Sequence, residues 1–329
     1  MKNLAIIIPA FKEKYFAEAL DSLVAQTVKD FSVYIGDDYS PNNLRSIVAL
    51  YEDKLDIHYT RFPNNIGAKN LVNQWSRCIE LSQNEKWLWL FSDDDIADSR
   101  AVENFYAILK IKENFFDVYR FNTCVIDKNG KVLSDTPVGP EVESSAAMAY
   151  NLLLGRRGNS MPDHIFSREI YDKCEGFVFT EFAQAADWAT SILFSKNKGI
   201  AIIPNSKLYW RLSGTNISSV ANLNKDSMIY GHIQFIQWVV EHFKYLENTQ
   251  NAEITYSMIK KAARFNIYNI IVNHYRGLGN NAIFPLIKTM VTMLDIGYKN
   301  TFTDIYSIKR ATKSRMNKPV NILKRLLNR

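Results

Sequence analysis

The chain has 329 residues, 47% hydrophobic and 22% charged, with 13 glycines, 9 prolines and 3 cysteines. Those proportions exclude a disordered, a collagen-like and a disulfide-stapled chain, and suit one large domain with an appendage or two modest ones. The net charge of +6 belongs to one end: residues 299–329 carry nine basic groups against Asp304 alone, leaving 31 basic and 33 acidic groups elsewhere, which argues against a general nucleic-acid-binding surface.

In chain order, Leu4–Ile8 is a short, wholly apolar run, as a strand buried on both faces requires. Glu13–Gln26 carries Phe16, Ala19, Leu20 and Leu23 at helical spacing. Phe31–Gly36 reads as strand, Asn42–Tyr51 as helix, Leu55–Thr60 as strand and Ala68–Ser82 as helix. Trp87–Phe91 reads as a central strand that stops at Ser92-Asp93-Asp94-Asp95; a helix over Ser99–Glu113 and a strand over Val118–Ile126 follow. Repeated β-α units with short connections predict a mostly parallel sheet flanked by helices.

Lys128-Asn129-Gly130-Lys131 reads as a turn between strands, and residues 134–145 as a surface loop. Helices are expected at Ser144–Leu154, Arg168–Lys173 and Ala183–Ser195, and short strands at Ile200–Ile203 and Lys207–Leu212. After about Asn224 strand patterns cease, and Asp226–Leu246, Ala252–Arg276 and Ala282–Asp295 have helical periodicity. A boundary near residue 223 follows, giving domains 1–222 and 223–329. Cys78, Cys124 and Cys174 are odd in number and widely spaced, the pattern of buried thiols in a reducing compartment. The N-terminal apolar run is too short for a signal peptide, and no stretch reaches the length of a membrane span. A cytoplasmic location is expected, on the membrane face if the basic, amphipathic tail lies on an anionic bilayer; the same tail also suits a solvated helix.

Ligands of open parallel α/β sheets bind at the carboxyl ends of the strands. Here strand one exits into Pro9-Ala10-Phe11-Lys12-Glu13, strand two into Asp37-Asp38-Tyr39-Ser40, and strand four into Ser92-Asp93-Asp94-Asp95. Carboxylates gathered at one edge call for a cation among them, and their oxygens suit Mg²⁺ or Mn²⁺. The alternative is that Asp93–Asp95 cap the helix that follows.

Six segments in order resemble the GT-A nucleotide-sugar glycosyltransferases of glycosyltransferase family 2: IIIPAFKE, LDSLVAQTVKDFSVYIGDDYSPN, NNIGAKN, WLFSDDDI, FTEFAQAADWAT and YWRLSGTNISS. The resemblance implies a GT-A α/β catalytic domain with a helical C-terminal extension. It implies that Pro9, Ala10, Phe11 and Glu13 line the nucleobase and ribose, that Asp38 accepts hydrogen bonds from the base, and that Asn65, Gly67 and Lys69 lie beside the nucleotide. Asp94 falls on the metal-binding position of the DxD-type motif, with Asp93 and Asp95 beside the donor; Asp187 falls on the catalytic base, and Arg211 or Lys69 adds positive charge at the diphosphate. His164 and Trp188 stand where an acceptor would lie. Each has a plainer alternative: Lys69 a solvated charge, Asp187 an exposed helix residue, His164 a hydrogen-bonded structural histidine, Trp188 a packing residue. Ser92 and Ala186 depart from the family pattern, and there is no Gln-x-x-Arg-Trp motif of processive synthases.

The implied activity is metal-dependent, inverting transfer of one sugar from a UDP-linked donor to a saccharide or lipid-linked saccharide acceptor in cell-surface polysaccharide assembly. The resemblance implies a divalent metal cofactor, a nucleic-acid partner is not expected, and the helical extension is open to oligomerisation. Two rival readings stand beside it. A sugar nucleotidyltransferase needs a Gly-rich triphosphate loop, which PAFKEKY lacks. A non-catalytic nucleotide-sugar or saccharide-binding module is suggested by Ser92 and Ala186.

Overall fold

The computed structural model describes residues 2–112, 115–214, 225–249, 252–273, 280–301, 303 and 306. The end of YWRLSGTNISS and the basic tail lie outside the described residues. The chain forms two compact units: the first is Met1–Ser145, Arg157–Phe179 and Thr190–Asn216, the second Ala146–Arg156, Thr180–Ala189 and Ile217–Arg329. Two short stretches of the first 222 residues therefore group with the C-terminal helices, so the division is not a single cut in the chain.

Among the described residues the first unit holds one ten-stranded sheet. Its strands are β1 (Leu4–Ala10), β2 (Phe31–Asp37), β3 (Ile57–Arg61), β4 (Trp87–Leu90), β5 (Ile96–Ala97), β6 (Val118–Ile126), β7 (Val132–Asp135), β8 (Val142–Glu143), β9 (His164–Ser167) and β10 (Ile200–Arg211). The main path runs β3-β2-β1-β4-β9-β6-β10-β5, with β7 on β6 and β8 on β10. The four strands β3, β2, β1 and β4 are mutually parallel, as are β6 and β10. Between them β9 runs antiparallel to both β4 and β6.

The alternation of β1 explains its place. Leu4, Ile6, Ile8 and Ala10 share a core with Phe16, Ala19, Leu20 and Leu23 of α1 (Phe16–Val24). Ala5 and Ile7, on the opposite face, are also fully buried, so the strand from Leu4 to Ile8 has no position for a polar side chain. Asn43 and Asn70 cap α2 (Leu44–Val48) and α3 (Leu71–Ile79), accepting from the N–H groups of Ser46 and Asn73 at 3.3 and 3.0 Å. Gly36 lets α3 approach β2, since a Cβ there would strike Cys78 Sγ. Helix α4 (Ala101–Ile111) adds Val102, Phe105, Ile108 and Leu109 to the same core as α1.

Three differences from the sequence expectations have physical causes. Strand β9 was not expected, because HIFS is four residues long and follows a Pro-containing turn; all four residues are buried between two neighbouring strands. The two strands expected at 200–203 and 207–212 are the single strand β10. Pro204-Asn205 reads as a break but stands as a bulge, with a register shift between Ile202 and Lys207 and Asn205 at φ 57°. The short β5 and β8 have too few residues to show a period.

The chain continues with α5 (Ser145–Leu153), α6 (Arg168–Lys173), α7 (Ala186–Phe194), α8 (Lys225–His242), α9 (Tyr256–Asn273) and α10 (Asn280–Thr292). Within the second unit, α8 packs against α9 and α10. Gly231 of α8 abuts the Glu181 carbonyl, a place no side chain could occupy, and Trp188 meets the edge of Phe235 at 5.7 Å. Asn266 Nδ2 donates to the Leu153 carbonyl at 3.2 Å, tying α9 to α5. Among the described residues no helix is long and apolar enough to cross a membrane.

Candidate active site at the strand ends

The parallel strands β1, β2 and β4 end at one edge, and the turns that leave them are bonded to one another. Asp38 N–H donates to the Ala10 carbonyl at 2.9 Å, so the exits of β1 and β2 leave in register. Ser40 Oγ donates to the Phe11 carbonyl at 2.7 Å. Phe11 N–H and Lys12 N–H both donate to Asp93 Oδ2, at 2.9 and 2.7 Å, which staples the β1 exit to the β4 exit. Asp93 is thus a buried acceptor of backbone groups; burial raises its carboxyl, against the Lys12 charge and the two N–H donors that satisfy its oxygens.

The Lys12 side chain completes this cluster. Its ammonium lies 3.0 Å from Asp93 Oδ1 and 2.5 Å from Asp94 Oδ2. Its side chain is 28% exposed, against 5% for Asp93 and 6% for Asp94. Burial works against the ammonium charge, but the two carboxylates outweigh it and hold Lys12 protonated well above the ordinary lysine range. Asp95 is enclosed and its Oδ1 accepts from Arg211 N–H at 2.8 Å. Burial first, then the Asp94 charge, push its carboxyl up to about 8, against the opposing Arg211 N–H and Ser92 hydroxyl.

Arg211 lies at the end of β10 with no exposed surface. Its Nε donates to the Asp94 carbonyl at 2.8 Å, its Nη2 meets Glu18 Oε2 at 2.6 Å, and its guanidinium lies 4.4 Å from the Tyr15 ring centroid. The expectation of a diphosphate-facing cation is therefore revised: this guanidinium is spent inside the fold, fixing the acidic turn to β10 and α1. Lys69, by contrast, is exposed on the loop before α3.

At the β2 exit both aspartates are engaged. Asp37 accepts from Ser40 N–H at 2.7 Å, Tyr59 Oη at 2.5 Å and Arg61 Nη1 at 3.2 Å. Asp38 Oδ1 accepts from Ile66 N–H at 2.9 Å and from Arg77 Nη2; its Oδ2 accepts from Gly67 N–H at 2.8 Å. Asn65 Oδ1 in turn accepts from Ala68 N–H at 3.2 Å. Two aromatic rings stay exposed here: Phe11 at 40% and Tyr39 at 53%. Tyr39 sits at φ 55°, a left-handed conformation costly for an aromatic residue, with the Arg61 guanidinium 4.9 Å from its ring centroid. Pro9 is half-buried, Ala10 buried and Glu13 exposed along the same exit.

A divalent ion at Asp94 fits this arrangement poorly. Among the described residues no three or more His, Cys, Asp or Glu side chains are grouped to hold a metal. Asp93 has both oxygens engaged, Asp94 Oδ2 is paired with Lys12, and a +2 charge at those oxygens would meet an ammonium already there.

Three further residues were expected at the site, His164, Asp187 and Trp188. His164 is 1% exposed within β9, cross-strand from Arg120 of β6, with Nδ1 3.0 Å from the Ser160 carbonyl. It is the hydrogen-bonded structural histidine; an acceptor would find no exposed imidazole. Asp187 and Trp188, both half-buried in the first turn of α7, belong to the second unit. The sequence reading passed over Lys12, Arg61 and Arg77. A signal was present for the first, since a lysine just past one strand faced an Asp triplet just past another.

The family model for Glycosyl transferase family 2 matches residues 5–171, just over half of the chain and nearly all of the sheet up to α6. The chain belongs to glycosyltransferase family 2. This family 2 chain is 30% identical over 112 residues to an uncharacterised glycosyltransferase of Rickettsia typhi (strain ATCC VR-144 / Wilmington). That match covers 34% of the chain and 33% of the relative, so the chain spans about a third of the length of the curated relative it matches. Among solved structures it is similar to S. aureus TarS 1-349 in complex with UDP-GlcNAc, with a TM-score of 0.67, 15% identity, and 100% of this chain and 91% of that one covered. The same TarS fragment in complex with UDP gives a TM-score of 0.64 at 14% identity, covering 96% and 92%. At such identities the likeness is one of fold, the GT-A α/β architecture with C-terminal helices.

Proposed function

We propose that this family 2 chain transfers a single hexose-type sugar, with inversion, from a UDP-linked donor to a saccharide or lipid-linked saccharide acceptor, in the assembly of a cell-surface polysaccharide. The observation that carries the reading is the convergence of the β1, β2 and β4 exits of a family 2 fold on one edge, with the Phe11 ring exposed and the Asp93–Asp94 turn bonded beside it. The TarS complexes with UDP-GlcNAc and UDP support the choice of donor.

In this reading Phe11 offers an aromatic face to the nucleobase, and Pro9, Ala10 and Glu13 line its side of the edge. Asp38 holds the loop of Asn65, Gly67 and Lys69 against the β2 exit, so its part is to shape the nucleotide's floor through Ile66 and Gly67 N–H. Asp95 and Arg211 keep the acidic turn in place behind the donor. The acceptor hydroxyl oxygen attacks the anomeric carbon, the bond from that carbon to the phosphate oxygen breaks with its electron pair going to the diphosphate, and the hydroxyl proton passes to Asp187. By its place in the motif Asp187 is the base, worth about 10²–10⁴-fold. The basic tail would bring the enzyme to a cytoplasmic membrane face carrying lipid-linked acceptors.

Asp187→Asn is expected to retain donor binding and lose transfer by at least about 100-fold. A panel of UDP-sugars and saccharide acceptors, scored by product mass and by calorimetric donor titration, measures both. A variant with unchanged transfer removes Asp187 as base; donor binding by the wild-type chain with no turnover on any acceptor favours the binding module.

A further inference from the structure

We propose that Lys12 is the resident cation of the acidic edge: it excludes a divalent ion from Asp94 and itself faces the donor's diphosphate, so that nucleotide binding needs no metal. The inference rests on the donor reading above and adds to it the source of positive charge. Three observations carry it. The ammonium contacts both carboxylates at once, 3.0 Å from Asp93 Oδ1 and 2.5 Å from Asp94 Oδ2. Its backbone N–H is bonded to the same Asp93, so main chain and side chain of one residue are both committed to this turn. The ammonium is also the accessible member of the trio, at 28% against 5% and 6%, so a ligand arriving from solvent meets the cation before the anions.

Charge accounting points the same way. Two carboxylates face one ammonium, and the Phe11 and Lys12 N–H groups donate to Asp93 from behind. A lysine carries three ammonium protons, two of which the carboxylates take, leaving one for a phosphate oxygen. Arg211, the other cation near the turn, cannot compete for that task, being enclosed and bonded to the Asp94 carbonyl and Glu18. A divalent ion bound to Asp94 Oδ2 would have to displace the Lys12 ammonium from that oxygen. An internal cation on a four-carbon stem needs no recruitment from solution, and its position is set when the strand folds.

Calorimetric titration of the full chain with UDP, in EDTA and again in Mn²⁺, tests this on the wild type and on Lys12→Gln, with Lys12→Arg as a charge-retaining control and circular dichroism to check folding. The expected result is wild-type binding in EDTA that Mn²⁺ alters by less than about threefold, a loss of about tenfold or more in EDTA for Lys12→Gln, and recovery of that loss by Mn²⁺ as the vacated carboxylates accept the ion. Lys12→Arg is expected to bind in EDTA within about threefold of wild type. Wild-type binding that is abolished by EDTA and restored by Mn²⁺ overturns the proposal while leaving the donor reading intact. Equal binding by wild type and a folded Lys12→Gln in EDTA also overturns it. Failure of UDP and of other nucleoside diphosphates to bind the wild type under either condition overturns the donor reading and this proposal together.

Discussion

A methyl group on Gly67 would lie 2.5 Å from Asp38 Oδ2, closer than any Cβ contact allows. The clasp between the β2 exit and the loop before α3 therefore requires glycine there, for space. Gly67→Ala is expected to destabilise the fold by about 1–3 kcal/mol, because the Ile66 and Gly67 N–H groups lose a buried carboxylate acceptor beside Arg77. Urea denaturation measures it, and an unchanged midpoint would mean that the loop shifts without breaking the clasp. The same residues mark the limit of sequence reading at this scale. Asp38, Gly67 and Asp94 could be picked out by motif position, but which oxygen is bonded to what depends on partners 28 to 82 residues away. Arg211 illustrates the point: its charge was visible in the sequence, its burial against Tyr15 was not.

Strand β9 carries a pH dependence through His164. Burial first, and then the Arg120 charge, push the His164 imidazole down to about 3 from an ordinary 6.5, against the Ser160 carbonyl. Between those values the unfolded chain binds a proton that the folded chain refuses, so stability falls as pH drops below about 6.5 and the loss levels off near 3. Wild type should lose roughly 2 kcal/mol at about pH 4.5 relative to neutral pH that His164→Gln does not. Chemical denaturation of both across that range measures the difference, which isolates His164 from Asp95 and other groups common to the two proteins; parallel curves would contradict the assignment. At the scale of elements, long periodic segments were legible: β1, β2, β4 and β6 stand within two residues of their sequence limits, as do α4 to α7, the last but for its first turn. What escaped were elements fixed by neighbours rather than by their own pattern. HIFS is a strand because β4 and β6 offer it two ladders, and Pro204-Asn205 continues a strand because β6 pairs on both sides of the bulge.

For the whole molecule, the order of βα units was enough to give the fold class, since parallel strands joined by helices admit few topologies. The placing of 146–156 and 180–189 with the C-terminal helices was not legible, because it rests on contacts such as Asn266 to Leu153 and Glu181 N–H to Gln234, which no local pattern encodes. In the proposed function, the joined exits of β1, β2 and β4 are where a nucleotide sits. Amide hydrogen exchange of the full chain, with and without saturating UDP and in the presence of Mn²⁺, tests it most directly. Slowed exchange is predicted at residues 10–13, 37–40, 64–70 and 92–95, and protection confined to other segments, or absent for every nucleoside diphosphate tried, would contradict it.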